Sequence, residues 1–505
     1  MSKMTNFFYE NTSRIPEKIA IWCDGKTATY SEMGNMVSGI ANMLLENGVK
    51  PGDRIGVPMN NSIESVALFF AAAEIGAAMA PINPTLPAAA IETAFDSVGV
   101  SCVIARRSFL RHFEARSKVC FCLDSDQIPG TIPFDSWKQY SMKRPGLEVA
   151  EDATLILTLT SGSTGDPKPI ELSQKNKIDR AFAHVDLYGL SEDDRVMAAT
   201  PLYHSLAERL VIMPLLIGAT SVLLPRFTPD MWLNCIAQQQ VTFTIAVSAQ
   251  LAQVSALLSD PDLPDITSLH TLVSSSALLE LPVKQVLIDK LRCQFHEMYG
   301  ASEISTATDI NFTQVGNKTK TVGYPLKEAQ LRIVDENRKE VPVGQIGEIA
   351  VKSSLAFKGY YRLPEKTAEA YSEDGYFHTG DLGRVDEDGY LYFCGRKKEI
   401  IITGGINVYP QDIEESLKKL SGVSECAAFP YPDERLGEIV AIAIVKESGS
   451  DLTTRAVQFY CARNLADFQQ PHKIFFMDQL PKNAMGKLTK GKIYEVVKRE
   501  GLDND

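Results

Sequence analysis

The strongest constraint on this chain is the alternation of short apolar runs with amphipathic helical patterns up to Tyr299. Ala20–Trp22, Arg54–Pro58 and Ser101–Ala105 have the length and composition of buried strands. Stretches with helical spacing, such as Leu206–Ile217, lie between runs of this kind. Alternating strands and helices favour parallel sheets that are covered by helices. The sequence therefore predicts an α/β fold for this part of the chain.

The pattern changes at about Glu328, where short alternating strands follow one another between turn signals such as Asp335–Asn337. This spacing is typical of antiparallel pairing, so we expect a barrel-like β piece here. A charged run at 395–399 separates that piece from a last region, whose first helix begins at Pro410. Two strands, a further helix and another strand then predict a small α+β unit.

Composition indicates a globular protein that binds neither nucleic acid nor an anionic membrane through general charge. The 505 residues are 45% hydrophobic and 23% charged, which is ordinary for a globular chain. The formal net charge is −12, from 51 basic and 63 acidic side chains, and it would repel polyanions. Nine scattered cysteines lack the paired spacing of a zinc site and predict reduced thiols.

The sequence predicts neither a secretory leader nor a membrane span. The first 18 residues are polar. The most apolar stretch, Val66–Ile82, is too short for a bilayer and carries Glu74. We expect this stretch to form a buried helix and the protein to be cytoplasmic.

The segment from Thr160 to Pro169 has the composition of an anion-binding loop. Glycines let several backbone N–H groups converge on an anion, and hydroxyl groups and a lysine add donors and charge. The spacing matches neither the P-loop nor the dinucleotide-binding motif, and an ordinary Ser/Gly surface turn is the alternative. The residues predicted to hold phosphates are Thr160, Ser161, Gly162, Ser163, Thr164, Gly165 and Lys168.

Two further segments place carboxylates just after sharp turns. In Tyr299–Glu303, a strand breaks at Gly300, and a carboxylate that follows such a turn can hold a divalent cation. Asp381 follows a Thr-Gly turn and can accept two hydrogen bonds from a vicinal diol, with Arg396 in reach of the same sugar. A solvated glutamate and a turn-capping aspartate are the structural alternatives. Taken alone, Lys487 near the C-terminus is one of many surface lysines.

The order of these motifs along the chain resembles that of a known enzyme family. The motifs are 160–169, Pro201–His204, Tyr299–Glu303, His378–Asp381, Gly395–Glu399 and Pro481–Lys487. In this order the chain resembles the acyl-adenylate-forming enzymes, the superfamily that joins acyl-CoA synthetases, peptide-synthetase adenylation domains and firefly luciferase. The amino-acid sequence of residues 395–410 is similar to the corresponding segment of the AMP-forming acyl-CoA synthetases.

The resemblance implies a two-domain enzyme with two half-reactions. It predicts a large N-terminal AMP-binding domain over 1–397, built of layered α/β sheets plus the barrel-like piece, and a small mobile α+β lid over 398–505. A carboxylate would attack the α-phosphate of MgATP to give an acyl-adenylate and pyrophosphate, and the thiol of CoA would then take the acyl group. The implied cofactors are ATP, Mg²⁺ and CoA.

The resemblance also assigns roles to single residues. Glu303 would hold Mg²⁺ together with Thr164, Ser302 would bind the α-phosphate, and Lys487 would bridge the attacking carboxylate and that phosphate. His204 would gate the channel toward the thiol, although a hydrogen-bonded core histidine is its alternative. Lys398 matches the hinge of the lid. The remaining predicted nucleotide- or CoA-binding residues are Ser276, Ala277, Tyr299, Gly300, Asp381, Arg396, Gly404 and Gly405.

Several points stay open at this stage. Pro169 and Ser274–Ala277 stand where the family generally has glycines. Glu208 or Arg209 could recognise a polar or second acidic group on the acyl chain, or both could face solvent. The acceptor could be a carrier-protein phosphopantetheine instead of CoA, and no carrier domain follows Tyr494. A non-catalytic nucleotide-binding descendant is a remote alternative, because the motif residues are present.

Overall fold

The chain folds into two compact units. The computed structural model describes residues 2–113, 117–124, 128–160, 168–315, 318–482 and 488–502. The large unit comprises Met1–Thr319, Pro325–Gln330 and Lys352–Tyr376, and the small unit comprises Lys320–Tyr324, Leu331–Val351 and Phe377–Asp505. Most of the antiparallel β region therefore belongs with the C-terminal region. The domain boundary between residues 397 and 398 stays a prediction.

Strands and helices alternate through the large unit, and strands dominate the small one. The strands are β1 Ile19–Cys23, β2 Lys26–Thr29, β3 Arg54–Pro58, β4 Ala78–Ile82, β5 Cys102–Ala105, β6 Val119–Cys122, β7 Ile132–Pro133, β8 Thr154–Thr160, β9 Lys168–Ser173, β10 Arg195–Ala198, β11 Thr220–Leu223, β12 Phe243–Val247, β13 Thr271–Ser275, β14 Gln294–Ala301, β15 Ser305–Asn311, β16 Tyr324–Pro325, β17 Ala329–Val334, β18 Gly347–Ser353, β19 Gly359–Tyr360, β20 Phe377–Val385, β21 Leu391–Arg396, β22 Ile401–Thr403, β23 Ile406–Val408, β24 Val423–Asp433, β25 Gly437–Lys446 and β26 Lys473–Phe476. The helices are α1 Lys3–Arg14, α2 Tyr30–Glu46, α3 Ile63–Ile75, α4 Ala88–Val98, α5 Arg107–Leu110, α6 Gln174–Tyr188, α7 Ser205–Ile217, α8 Pro229–Gln239, α9 Ser248–Leu257, α10 Leu281–Lys290, α11 Pro364–Glu369, α12 Pro410–Leu417, α13 Thr454–Asn464 and α14 Ile493–Arg499.

Two largely parallel sheets form the large unit. Within the large unit the first has the strand order β15-β14-β13-β12-β10-β11-β1-β2. Its pairs β14/β15 and β1/β2 are antiparallel, and the pairs between them are parallel. The second has the order β19-β9-β8-β4-β3-β5-β6-β7. Strands such as Phe243–Val247 are buried along their whole length, which is expected where helices cover both faces of a parallel sheet. The predicted α/β architecture is confirmed.

The small unit holds antiparallel strands and an α+β region. Strands β18, β20 and β21 pair antiparallel, as the sequence predicted for this region. In the C-terminal part, β22, β24 and β25 form an antiparallel sheet, to which β26 adds a parallel strand. Helix α12 packs Ile413 and Leu417 into an apolar core with Val440 and Ile442 of β25. These elements match the small α+β unit that the sequence predicted.

One predicted element is wrong in part. The apolar stretch Val66–Ile82 is not a single helix, because α3 ends at Ile75 and β4 begins at Ala78. Gly76 closes the helix with a positive φ of 69°, a conformation that glycine adopts at no steric cost. A fully buried strand and a buried helix have the same apolar composition, so hydropathy alone could not separate them. Among the residues described, no helix is long and apolar enough to cross a membrane.

Candidate active site

Several predicted site residues lie at the same edge of the first sheet. Strands β10, β12, β13 and β14 are neighbours and run parallel. Their carboxyl ends lead into the segments that carry His204, Ser248, Ser276 and Gly300. Ligands of open α/β sheets bind outside the carboxyl ends of the strands. The fold therefore brings together residues that are separated by almost a hundred positions in the sequence.

The turn after β14 requires glycine at position 300. A Cβ built on Gly300 would lie 2.0 Å from the carbonyl oxygen of Ser305, which is far inside any permitted contact. Ser305 itself has a positive φ of 64°, a strained conformation for a residue with a side chain. The chain therefore doubles back tightly between β14 and β15, and Ser302 and Glu303 lie in the resulting turn.

Arg180 on helix α6 holds this turn through its main chain. Its guanidinium donates to the carbonyl oxygens of Ser302 at 3.0 Å, Glu303 at 3.1 Å and Leu355 at 2.9 Å. The residue is only 2% exposed, and burial, followed by the charge of Arg209, lowers the pKa of Arg180 to about 9. Sequence reasoning missed Arg180. The sequence feature that could have revealed it is a set of polar residues with helical spacing on one face of α6, at positions 177, 180 and 184, and this face is buried.

The Glu303 carboxylate is oriented by a tyrosine. The hydroxyl of Tyr360 donates to Oε1 of Glu303 at 3.0 Å. Burial, and next the nearby Glu303 charge, raise the pKa of Tyr360, so the phenol stays protonated as a donor. The same ring lies 5.4 Å from Nζ of Lys168. Tyr360 thus connects Glu303 with the near end of the predicted phosphate loop.

The residues at this turn fit a magnesium ion that is shared with a bound polyphosphate. No cluster of three or more His, Cys, Asp or Glu side chains suited to a metal occurs in the described part of the chain. Mg²⁺ keeps several waters and is commonly held by one or two carboxylates together with substrate phosphates. A single oriented carboxylate, that of Glu303, meets this requirement. Thr164, the other predicted ligand, lies outside the described residues.

Only the two ends of the predicted phosphate loop are described. Thr160 of β8 pairs with Lys168 of β9, so the ends of the loop meet in an antiparallel ladder. The predicted residues Ser161, Gly162, Ser163, Thr164 and Gly165 lie outside the described residues. The family departure at Pro169 falls within β9, where its carbonyl oxygen accepts a hydrogen bond of 2.8 Å from the N–H of Tyr361. Pro169 therefore belongs to the sheet that supports the loop.

The segment after β13 is held by two buried groups. Ser248 donates its hydroxyl to the carbonyl of Ala277 at 2.5 Å, and the N–H of Leu279 donates to Glu297 at 3.1 Å. Glu297 pairs with Lys284 at 2.5 Å inside the unit. Ser276 is exposed and has a positive φ of 79°. Because glycine adopts that conformation without strain, it is the residue that this backbone favours.

His204 immediately precedes helix α7 and is largely withdrawn from water. Its ring contacts that of Tyr203, with 4.6 Å between centroids. Burial lowers the pKa of His204 to about 4, so the imidazole is neutral at physiological pH. Its Nε2 atom is buried and makes no hydrogen bond to any of the residues described. A buried polar atom without a hydrogen-bond partner is unusual in a native protein and marks His204 as a candidate functional residue.

Of the acidic and basic residues that follow His204, Glu208 is buried and Arg209 is partly buried. Glu208 is fully buried and pairs with Lys177 of α6 at 2.6 Å. Arg209 donates to Nε2 of His184 at 2.9 Å. The alternative that both Glu208 and Arg209 face solvent is therefore wrong. An amphipathic pattern assigns charged residues to the outer face of a helix, but here α6 and α7 pack their charged side chains against each other.

In the small unit, Asp381 and Arg396 lie opposite each other on paired strands. They are direct partners in the β20/β21 register, and Nε of Arg396 is 3.6 Å from Oδ1 of Asp381. The hydroxyl of Thr379 accepts from the N–H of Asp381 at 3.1 Å, and Gly380 before it has a φ of 71°. The predicted sugar-binding pair is therefore brought together by strand pairing.

The other predicted residues of the small unit lie at turns. Lys398 is exposed in the short 3-10 turn Lys397–Glu399. Gly404 and Gly405 form a two-residue hairpin between β22 and β23, with φ of 57° and 84°, as a type I′ turn requires. Lys487 lies outside the described residues.

Comparison with known proteins decides which family this site belongs to. The profile of the AMP-binding enzyme family matches residues 8–361, and that of the AMP-binding enzyme C-terminal domain matches residues 412–487. The chain belongs to the AMP-binding enzyme family. The predicted membership of the acyl-adenylate-forming superfamily, in its acyl-CoA synthetase branch, is confirmed.

Relatives of this AMP-binding enzyme are similar along their whole length. A feruloyl-CoA synthase of Amycolatopsis sp is 30% identical over 480 residues, which cover 95% of this chain and 96% of the relative. An indoleacetate–CoA ligase of Aromatoleum aromaticum is 30% identical over 496 residues, covering 96% of each chain. The solved structure of ATP-bound MatB from Rhodopseudomonas palustris superposes with a TM-score of 0.89 at 28% identity, covering 99% of each chain. This AMP-binding enzyme is accordingly an acid–CoA ligase of the AMP-forming type.

Proposed function

We propose that the carboxyl edge of the first sheet activates an acid that carries an aromatic ring and that the acceptor is free CoA. In the first half-reaction, a carboxylate oxygen attacks the α-phosphorus of ATP, and the bond to the bridging oxygen breaks, so that pyrophosphate leaves. In the second, the sulfur of CoA attacks the acyl carbon, AMP leaves, and the thiol proton passes to solvent. The observation that carries the proposal is the turn with Ser302 and Glu303, fixed by Arg180 and Tyr360.

The predicted cofactors ATP, Mg²⁺ and CoA are confirmed by the relatives. A 2-succinylbenzoate–CoA ligase of Bacillus cereus is 27% identical and covers 98% of this chain. The corresponding enzyme of Bacillus subtilis, at 26% identity and a TM-score of 0.85, was solved with ATP and a magnesium ion. Mg²⁺ would neutralise charge on the phosphates that leave. Glu303 would hold it, with Thr164 as the second proposed ligand.

The large unit supplies the proposed phosphate and acyl contacts. Ser302 would donate to the α-phosphate, and the loop from Thr160 to Lys168 would hold the leaving pyrophosphate. Ser276 and Ala277 lie on the segment proposed to flank the adenine. His204, neutral and with one ring nitrogen free of described partners, would border the acyl group and the path of the thiol.

The small unit supplies the remaining proposed contacts. Asp381 would accept from the ribose hydroxyls, and Arg396 beside it would fix that carboxylate. Lys487 would place positive charge between the attacking carboxylate and the α-phosphate, where charge develops in the transition state. Backbone rotation at the proposed hinge residue Lys398 would switch the enzyme from the first half-reaction to the second. Gly404–Gly405 would line the path of the pantetheine arm.

The aromatic character of the acid is supported by the relatives. The feruloyl, indoleacetate and 2-succinylbenzoate ligases all take their names from acids with an aromatic ring. Free CoA as the acceptor is supported by the same three names. Loading of a carrier protein is the competing acceptor reaction, and the test below separates the two.

The test is ATP–pyrophosphate exchange over aryl and aliphatic acids, followed by thioester formation with CoA and with a carrier protein. We expect exchange to be strongest with aryl acids and thioester to form with CoA. Exchange with none of the acids would overturn the adenylating function, and transfer only to the carrier protein would overturn the acceptor.

Two variants separate the half-reactions. Lys487→Ala should nearly abolish adenylate formation, yet form thioester from preformed adenylate. Lys398→Pro should do the reverse, because proline restricts the torsion at the hinge. Lys419→Ala, which removes an exposed lysine of the same region, is the control and should retain both. Equal loss of both half-reactions in Lys487→Ala would contradict the proposed role.

A further inference from the structure

We infer that Arg209 binds a second anionic group, a carboxylate, on the acid that this enzyme activates. The inference rests on the proposed function and names a feature of its substrate. Arg209 lies on α7, five residues after His204, and its guanidinium reaches the start of β15. It would act as a specificity-determining residue and take no part in bond making.

The hydrogen-bond acceptors of Arg209 are all uncharged. Its guanidinium contacts Nε2 of His184 at 2.9 Å, Oγ1 of Thr306 at 3.4 Å and Oγ of Ser305 at 3.3 Å. Because arginine only donates, Nε2 of His184 is the acceptor and the ring proton lies on Nδ1. Burial, and then the charge of Arg209, keep the pKa of His184 well below its ordinary value, so the ring is neutral.

Three other cations of the large unit that are at least partly buried have a carboxylate partner. Lys177 pairs with Glu208 at 2.6 Å, Arg144 with Glu74 at 2.9 Å and Lys284 with Glu297 at 2.5 Å. Among the residues described, Arg180 has no carboxylate at ion-pair distance, but it donates to three carbonyl oxygens. Arg209 has neither a carboxylate at ion-pair distance nor a carbonyl acceptor within the described ranges. A partly buried charge without a counter-charge is unfavourable, and such charges are often found at functional sites.

The charges that face Arg209 add to this imbalance. Arg180 and Lys177 lie on α6 opposite it. Burial lowers the pKa of both, and the charge of Arg209 lowers it further. Glu208 on its own helix is already paired with Lys177. Burial lowers the pKa of Arg209 to about 10, which still leaves it charged at neutral pH. Three cations therefore meet two carboxylates, Glu208 and Glu303, at this point, and positive charge is in excess by one.

A small cavity adjoins the guanidinium between α6 and α7. It is lined by Lys177, Arg180, Ala181, Ser205, Arg209 and Ile212, and it has room for about one water molecule. Ser205 directly follows His204, and Ser305 follows Glu303 by two residues. Arg209 thus lies between the two segments that carry the proposed acyl-site and magnesium residues.

Carboxylate is the anion that best matches this arrangement. The planar guanidinium binds both oxygens of a carboxylate in parallel. The contacts at 3.3 and 3.4 Å to Ser305 and Thr306 are the long ones, and a carboxylate would replace them while the bond to His184 stays. An acid with a second carboxylate would then be held at both ends, with its reacting end at the α-phosphate.

The test compares acids that differ only at the distal group. Adipic acid is paired with its monomethyl ester, and terephthalic acid with its monomethyl ester, in ATP–pyrophosphate exchange. We expect kcat/KM of the wild type to favour the diacid, and Arg209→Gln to lower the diacid-to-ester ratio on the order of 100-fold. The diacid alone should also raise the melting temperature of the wild type and not that of Arg209→Gln.

Control variants keep the result interpretable. Arg209→Lys retains the charge and should keep part of the preference. Arg195→Gln removes a half-buried arginine at the opposite end of β10, where it donates to the carbonyl of Gln239, and should leave the ratio unchanged. If Arg209→Gln does not fold, Arg209→Lys decides, because loss of bidentate geometry should still reduce the ratio.

Each outcome bears on the inference. A wild type that prefers the ester in both pairs, or an unchanged ratio in the folded Arg209 variants, would overturn it while leaving the proposed function intact. Exchange with neither diacids nor esters nor any other acid would overturn the proposed function itself, and this inference with it. A changed ratio without the thermal shift would show that Arg209 acts on folding of the turn, and it too would contradict the inference.

Discussion

Lys177 and Glu208 form an ion pair from which water is almost completely excluded. Nζ of Lys177 lies 2.6 Å from Oε2 of Glu208, and their side chains are 5% and 0% exposed. The pair joins α6 to α7, the helices that carry Arg180 and Arg209. Burial lowers the pKa of Lys177, and the Glu208 charge opposes that effect. The ion pair therefore helps to fix how α6 and α7 pack against each other.

Removing one partner of this pair should cost more than removing both. Glu208→Ala should lower the free energy of unfolding by about 3–5 kcal/mol, because it leaves a buried ammonium group without a counter-charge. The double variant Lys177→Met/Glu208→Leu should regain much of that loss. Urea unfolding of the three proteins measures the difference. A double variant that is less stable than Glu208→Ala would contradict the coupling of the pair.

Gly300→Ala should disrupt the turn after β14. The added methyl group would lie 2.0 Å from the carbonyl oxygen of Ser305, so strands β14 and β15 must shift. We expect a loss of about 1–3 kcal/mol in unfolding free energy and a steep fall in adenylate formation. Gly491→Ala, where a methyl group meets no atom within 4 Å, is the matched control. Normal exchange activity in Gly300→Ala would contradict the geometry of the turn.

Arg180→Met should weaken binding of MgATP more than binding of the acid. Three carbonyl oxygens would lose a charged donor, each such bond contributing about 1.5–3 kcal/mol, and Glu303 would lose its fixed position. We expect KM for MgATP to rise about tenfold or more. Arg180→Lys should restore only part of the affinity for MgATP, because an ammonium group cannot reach all three carbonyl acceptors. A rise in KM for the acid alone would argue against this positioning role.

Stability should fall as the pH drops below about 6.5. His184 has a pKa well below its ordinary value, and burial lowers that of His204 to about 4. Between about pH 6.5 and pH 4 these two histidines bind protons in the unfolded chain, whereas in the native protein they stay neutral. The contribution of the neutral histidines to the free energy of unfolding is therefore fully present above the unfolded pKa and is lost toward about pH 4. Each contributes at most about 1.4 kcal/mol per pH unit.

The variant His184→Gln isolates one of these groups. Glutamine keeps an acceptor for Arg209 but does not titrate, so the slope of unfolding free energy against pH should be shallower between pH 6.5 and 5. Above pH 7.5 the two slopes should coincide. Parallel curves throughout the acidic range would mean that His184 does not resist protonation in the native state.

Sequence patterns sufficed wherever the determining interactions are local. Arg54–Pro58 is a strand with the predicted bounds, and helix α12 begins at Pro410 as predicted. The separation of Val66–Ile82 into helix and strand was not predictable from hydropathy, because both elements are buried on every side. Domain limits and the roles of Lys487, Lys398 and the phosphate loop remain predictions.

By itself, the sequence determined the alternating α/β architecture and the order of motifs that places the chain among AMP-binding enzymes. Periodicity and turn residues act over a few positions and can be seen in one dimension. Only the tertiary structure decided that Arg180 holds the Glu303 turn and that Arg209 donates to uncharged acceptors. Those contacts join residues more than twenty positions apart, and their energy depends on how much water is excluded when helices and strands pack together.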